Sequence, residues 1–412
     1  MPASAAPMIP SIPGERIPHS SDQLAWLRDS VGRICGVDSK RFPGSQPVSF
    51  SQADLAKLEN QDFFVCEKSD GVRVLLVVLT DPSGSQFVHL VDRKNDYYDV
   101  RGIYFPHHEN PTKPLQNTIV DGELVYDVDP TTRAQTLRFL AFDCLVVNDQ
   151  NIMSRPLDKR YGRLKEWFYK PFARMKVDHP QVAQSHLFDI RVKDVKSSYN
   201  AEQVFMEMPH LQHGSDGLIY TCVNARYSPG TDPNILKWKP PSENSIDFKL
   251  VLRFPPLAND PTQPDFHAKP VFVLNMWGGD ERYEQYDVMY VEDSEWESMK
   301  ASGDQYDDRI VEVHWDPSKN HWRFMRFRDD KLHGNHRSVV ESIVSSIADG
   351  VERETLLSRS TAIRNAWKVR MGNPQPAVMS APQSVVEFKF GPLGTSQWSK
   401  VSGPLVIAGM KR

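Results

Sequence analysis

Glu67-Lys68-Ser69-Asp70-Gly71-Val72-Arg73 stands between two apolar runs, Phe63-Phe64-Val65-Cys66 and Val74-Leu75-Leu76-Val77-Val78-Leu79. A lysine ending a β-like run, followed by Asp-Gly, predicts a strand, a tight turn and a second strand, that is, a hairpin. The turn sets one amine on a bend with apolar walls on both sides. Desolvation and nearby cations lower the pKa of such a lysine and expose a neutral amine, so Lys68 is a candidate nucleophile. An isolated Lys-x-Asp-Gly is usually a solvated turn. The weight therefore falls on the rest of the chain.

The chain has 412 residues, a formal net charge of −4, 40% hydrophobic and 25% charged residues, an ordinary globular composition long enough for two domains. No apolar run approaches the ~20 residues that span a bilayer. Met1 to Pro18 is rich in Pro, Ala and Ser and lacks the basic and apolar regions of a secretory signal, so a disordered leader is expected over 1–18. Cys35, Cys66, Cys144 and Cys222 are scattered, with no Cys-x-x-Cys pair. That argues against a zinc site and a disulfide framework, and for a reducing compartment. Cys35 to Arg41 has the Cys-x5-Arg spacing of a phosphatase loop but neither the preceding His nor the glycines; it reads as a helix-end cysteine and a loop. The mildly acidic total leaves a nucleic-acid partner open, because clustering of basic residues matters more than their sum.

Ser20 or Ser21 caps a helix carrying Leu24, Leu27, Val31 and Ile34 on one face. Ser51 to Leu58 is a short helix leading into the lysine turn. Strands follow at Phe87–Val91, Thr118–Tyr126 and Leu137–Val147, with short polar gaps that suit antiparallel sheets. Arg155 to Phe172 is helical, Ile190 to Lys193 a short strand, and Ala201 to Met208 a helix. Asp216 to Tyr220 and Ile235 to Lys239 are further strands, and Pro240-Pro241 marks a domain boundary. About five strands between Ser245 and Arg328 suit a small barrel of the OB type. Ser338 to Met371 is mostly helical. The expected class is α+β: an antiparallel-sheet domain over 19–240, an OB-fold domain over 245–335, a helical segment over 336–372, and a tail over 373–412 with one strand-like run at Val385 to Phe390.

Five segments need one explanation: Lys68-x-Asp70-Gly71-x-Arg73, Asp121-Gly122-Glu123, Asp216-Gly217, Lys237-x-Lys239, and the basic run Trp322 to Lys331. Singly, each has a bland reading. Asp-Gly pairs are common turns, paired lysines on one strand face discourage edge aggregation, and the basic run suits an exposed strand. Together, and in this order, they resemble the covalent nucleotidyltransferase superfamily, which includes mRNA capping enzymes and ATP-dependent polynucleotide ligases. Asp92-Arg93, Leu137 to Asp143 and Arg328-Asp329-Asp330-Lys331 extend the resemblance from about Phe42 to Asn335. It is closest to the fungal type of mRNA capping guanylyltransferase: Asp216-Gly217 stands where ligases more often carry Glu-Gly, and Arg-x-Asp-Lys follows an Arg-rich strand.

The resemblance implies a nucleotidyltransferase domain before the OB fold and a two-step reaction. Lys68 attacks the α-phosphorus of GTP, pyrophosphate leaves, and GMP then passes from the lysine to the 5′-diphosphate end of RNA. Lys237 and Lys239 would supply charge for the α-phosphate and keep Lys68 deprotonated. Glu123 and Asp216 would contact ribose, order the lysines or hold Mg²⁺ or Mn²⁺. Arg73 and Arg93 would lie on the ribose side, Phe142 would stack on the base and Lys193 would read guanine O6. Arg328, Asp330 and Lys331 would orient the leaving group from the second domain, which requires a hinge near Pro240-Pro241. A separate RNA triphosphatase is implied, since no triphosphatase domain is evident ahead of Phe42. Docking to the phosphorylated tail of RNA polymerase II and a nuclear location are implied too; no membrane partner is. The alternatives are an ATP-dependent polynucleotide ligase and a non-catalytic RNA- or polymerase-binding module. The intact Lys68, Glu123 and Lys237 argue against the module.

Overall fold

The computed structural model describes residues 9–38, 41–184 and 186–372. They form two compact units: one runs to Trp238 and takes back the chain from Leu356, and the other spans Lys239–Thr355.

The first unit is built on two sheets. Strands β1 (Glu15–Arg16), β2 (Ser45–Ser49), β3 (Phe63–Ser69), β4 (Val72–Thr80), β5 (Gln86–Asp92), β6 (Tyr97–Val100), β7 (Thr118–Val128), β8 (Gln135–Val147), β9 (Gln150–Asn151), β10 (Asp189–Val192), β11 (Lys196–Ser197), β12 (Ser215–Cys222) and β13 (Gly230–Trp238) divide between them. One sheet has the order β1-β6-β5-β4-β7-β8-β10 with β9 beside β8; the other is β11-β3-β12-β13-β2. Pairing is antiparallel except at β8–β10 and β2–β13.

The lysine turn is therefore not a hairpin. β3 and β4 lie in different sheets and do not pair. The reason is visible in β4, whose six consecutive apolar residues are all buried. A strand with one wet face alternates; an unbroken apolar run needs cover on both faces. Val74, Leu76 and Val78 enter a core with Phe105, Phe168 and Phe172, while Leu75, Val77 and Leu79 enter another with Leu24, Leu27 and Val31. The latter three come from helix Asp22–Cys35, whose N-cap Ser21 side chain accepts from Gln23 N.

Residues 9–18 are not a disordered leader. Glu15–Arg16 pairs with β6 as an edge strand, and Ile17 is buried. Positions 1–8 lie outside the described residues, as do the tail 373–412 and its expected strand at Val385 to Phe390. The expected helix at 155–172 is instead Leu157–Arg163, a π-helical turn at Leu164–Tyr169, and Lys170–Asp178.

In the second unit, β14 (Ser245–Arg253), β15 (Val271–Trp277), β16 (Tyr283–Met289), β17 (Arg309–Asp316) and β18 (His321–Phe327) close into a barrel of order β14-β15-β16-β18-β17. Helix Asp293–Ser302 sits between β16 and β17 in sequence, an OB arrangement. The strand reading passes over this helix, although the chain signals it: Glu292 and Glu295 form a capping box, and Trp296 and Met299 are its buried face. The C-terminal helices divide: Arg337–Ala348 belongs to the barrel unit, whereas Ser360–Gly372 packs in the first unit against helix Gln52–Asn60.

Candidate active site

Register assembles the site. In the second sheet Leu218 pairs with Glu67 and Ile219 with Lys237, and a bulge between Ser215 and Leu218 sets Asp216 opposite Lys68. In the first sheet Arg73 pairs with Glu123, Gly122 with Ala141, and Asp121 with Asp143. The crossing at Asp70-Gly71 joins the two sets. Gly71 passes so close to β7 that a Cβ there would lie 2.2 Å from the Leu124 carbonyl oxygen, so only glycine fits. Asp70 N donates to the Gly214 carbonyl at 2.8 Å, which fixes the corner.

A cavity of about 380 Å³ opens at this corner, lined by Lys68, Arg73, Arg93, Glu123, Phe142, Lys193 and Lys237 among others. Phe64, Ile219 and Ile235 give it an apolar wall. A flat apolar wall opposite a cationic floor suits a nucleotide, with base on the wall and phosphates on the floor.

Lys68 Nζ donates to Asp216 Oδ1 at 2.5 Å, with both side chains partly exposed. Burial, and then repulsion from Lys68 and Arg93, push Lys237 below the ordinary lysine value. Lys68, Lys237 and Arg93 thus stand close enough to repel one another at the corner. Glu123 is pushed above the ordinary carboxylate range by burial, against the pull of Lys193, Lys68, Arg73 and Arg93.

Arg73 reaches the cavity wall, but its donors are taken up behind it. Its guanidinium donates through Nε to Asp121 at 2.9 Å and through a terminal nitrogen at 2.5 Å, donates also to the Ser45 carbonyl, and stands 5.5 Å from the Phe142 ring centroid. With so many donors engaged, Arg73 shapes the wall more than it reaches a ribose. Lys193 is buried, its Nζ 2.8 Å from Ser69 Oγ and 3.3 Å from Glu67 Oε1. Arg93 is exposed at the cavity mouth.

Lys239 lies past the end of β13 and, with Arg328, Asp330 and Lys331, belongs to the other unit. There Arg328 donates to both oxygens of Asp330 at 2.8 Å and to both of Asp247 at 3.0 and 3.1 Å, and Lys331 also bonds Asp247. The Arg328 hydrogen bonds hold the Asp330 carboxyl at about 2.

Sequence reasoning missed Asp247, Tyr227, Arg160 and His213. Tyr227 is buried, donates to Asp121 Oδ2 at 2.6 Å and accepts from Ser45 N at 3.0 Å. Arg160 grips both oxygens of Asp143 at 2.8 Å. None sits in a motif; each is found only by following a buried charge to its partner. Cys35 is buried, its thiol pushed up to about 12 by desolvation, which disposes of a phosphatase loop.

The model of the mRNA capping enzyme catalytic domain matches residues 9–241, and that of the mRNA capping enzyme C-terminal domain matches residues 243–357. The chain is similar to the mRNA-capping enzyme subunit alpha of Neurospora crassa, 41% identical over 378 residues covering 87% of this chain and 93% of that protein. The subunit of the same name from Yarrowia lipolytica is 40% identical, covering 89% and 94%. That of Saccharomyces cerevisiae is 37% identical, covering 81% and 82%. A mycobacterial DNA ligase D complexed with ATP and MES is 14% identical, covers 70% of this chain and 95% of its own, and superposes with a TM-score of 0.35, too loosely to bear on function. The chain therefore belongs to the mRNA capping enzyme family, with the family's catalytic domain followed by its C-terminal domain.

Proposed function

We propose that the chain transfers GMP from GTP through an adduct on Lys68 to the 5′-diphosphate end of RNA. The observation that carries this is Lys68 at the corner between two sheets, with Lys237 and Arg93 beside it in a nucleotide-sized cavity. In the first step the Nζ–Pα bond forms, the Pα–O bond to the β-phosphate breaks, and pyrophosphate leaves. The lone pair on Nζ has to be free, so the bond to Asp216 is released and the departing proton has that carboxylate beside it. In the second step a β-phosphate oxygen of the RNA attacks Pα, the P–N bond breaks, and Lys68 regains its proton. Lys237 and Arg93 offset the charge on the phosphoryl oxygens in both steps.

Among the described residues no group of three or more His, Cys, Asp or Glu could hold a metal alone. Asp216 and Glu123 are the carboxylates beside Lys68, and an ion such as Mg²⁺ or Mn²⁺ carried mainly by nucleotide phosphates needs only one or two. Such an ion would neutralise phosphate charge. A separate RNA triphosphatase as supplier of the diphosphate end, the phosphorylated polymerase tail as a docking partner, and a nuclear location belong to the same proposal.

The test is labelling with α-radiolabelled GTP or ATP and a divalent ion. The wild-type chain should retain acid-labile label from GTP and not from ATP, and Lys68→Ala should retain none. Label from ATP alone, or an unimpaired Lys68→Ala, would overturn the reading.

A further inference from the structure

Behind β3, on the face away from Lys68, lies a second cavity of about 420 Å³, lined by Glu67, Asp127, Arg138, Lys193 and His213 among others. His213 stands just before β12, in a segment stapled to both sheets. Val128 N, at the end of β7, donates to the Gln212 carbonyl at 2.8 Å, and Asp70 N, at the lysine corner, donates to the Gly214 carbonyl at 2.8 Å. Between these two bonds the His213 ring spans two carboxylates. Nδ1 is 2.9 Å from Asp127 Oδ1, and Nε2 is 3.7 Å from Glu67 Oε1. The second distance is an ion-pair contact, too long for a hydrogen bond. The ring is over nine-tenths buried.

Glu67 is the next link. Alternation along β3 puts Glu67 and Ser69 on one face and Lys68 on the other. Glu67 Oε1 lies 3.3 Å from Lys193 Nζ, and Ser69 Oγ accepts from Lys193 at 2.8 Å. Lys193 lines both cavities, so whatever holds Glu67 sets where that ammonium sits in the nucleotide cavity.

We infer that His213 is a positioning residue for guanylyl transfer: as an imidazolium it ties Asp127 to Glu67 and thereby holds Lys193 in its place in the nucleotide cavity. This rests on the reading of that cavity as the GTP site. A neutral ring keeps its hydrogen bond to Asp127 but has no charge to attract Glu67 across 3.7 Å, so loss of the proton releases the Glu67 end of the tie. The two carboxylates that face the ring, Asp127 on β7 and Glu67 on β3, favour the cation. Arg138 on β8, 2.9 Å from Asp127, Arg191 on β10, Lys193 and Lys196 oppose it from farther off, and Asp194, Glu207 and His210 line the same cavity. Burial works against the charge, yet the two carboxylates carry His213 above the ordinary imidazole value of 6.5.

The experiment measures KM for GTP and the maximal rate of adduct formation on the full chain, from about pH 6 to about pH 9, for wild type, His213→Gln and His213→Lys. His213→Gln should raise KM about fivefold near pH 6.5 and leave the maximal rate within about twofold. The wild-type KM should climb to the His213→Gln level as pH rises through the His213 value, while His213→Lys, charged throughout, keeps the low KM. A wild-type KM for His213→Gln, or a His213→Lys that tracks His213→Gln, overturns the inference. Should His213→Gln fail to fold, the wild type decides by itself: a KM flat across the range overturns the proposal too. A wild-type chain that forms no adduct refutes the GTP reading itself, a distinct result.

Discussion

The hydroxyl of Tyr227 sits behind the nucleotide wall, donating to Asp121 and accepting from Ser45 N. Tyr227→Phe leaves both partners short of a bond in a site water does not reach. It should cost about 1–3 kcal/mol in denaturant unfolding. Gly71 is a sharper case. In Gly71→Ala the new Cβ meets a backbone oxygen that cannot swing away. The corner must move by a fraction of an ångström to an ångström, and Lys68 moves with it. Misplacement on that scale should lower the rate of adduct formation about 10²-fold, read by single-turnover labelling, with a stability loss of about 1–3 kcal/mol. Glu123 predicts the opposite balance. Its carboxylate is disfavoured by burial before nucleotide binds, so Glu123→Gln should raise the melting temperature by about 1–3 °C while lowering labelling, the exchange expected where a site holds a destabilised group.

At the scale of elements, helix Ser360–Gly372 and Arg359 just before it are held to the rest of the first unit by charge as much as by packing. Arg370 donates to Asp62 Oδ1 at 2.9 and 2.7 Å and to the Glu59 carbonyl, Arg359 pairs with Glu59 at 2.6 Å, and Trp367 lies against Tyr199. Arg370 remains partly exposed, which weakens its bonds. Arg370→Ala should therefore cost about 1–2 kcal/mol, seen as a lower denaturant midpoint. Labelling of Lys68 by saturating GTP should be unchanged, since the helix packs chiefly on Gln52–Asn60 and Ser198–Asn200.

For the molecule as a whole, the buried charge network fixes a pH window. Glu67 is half-buried and Asp127 buried, which raises a carboxyl, but Lys193 and His213 respectively carry them below their ordinary values. Their stabilisation is present above the unfolded values of 4.5 and 3.8 and is lost as pH falls through the lowered folded ones. His213 runs the other way: its contribution is whole below 6.5 and is lost as pH rises through its raised folded value. Melting temperature should peak between these limits and fall on either side. His213→Gln should flatten the alkaline arm and also soften the acid arm, because His213 helps to lower Asp127 and Glu67, a profile that differential scanning fluorimetry across pH would trace.

What the sequence determined by itself is the inventory and its order. Lys68, Arg73, Glu123, Asp216 and Lys237 lie in short motifs whose order along the chain carries the family resemblance, and Phe142 follows from that resemblance, because the order of segments is a property of the sequence itself. The OB barrel is legible too, since five short strand-like runs follow one another within about 85 residues and their apolar residues share one core. Tertiary structure decided how the motifs meet. The run from Val74 to Leu79 is covered on both faces, so β4 leaves β3 for another sheet and the expected hairpin becomes a corner. It also decided which charges are spent. Arg73 is bound to Asp121 and Tyr227, Arg328 to Asp247, and His213 between Asp127 and Glu67, partners separated by 48 to 154 positions along the chain. A buried charge must find its counter-charge wherever the fold brings one, and no local pattern announces where that will be.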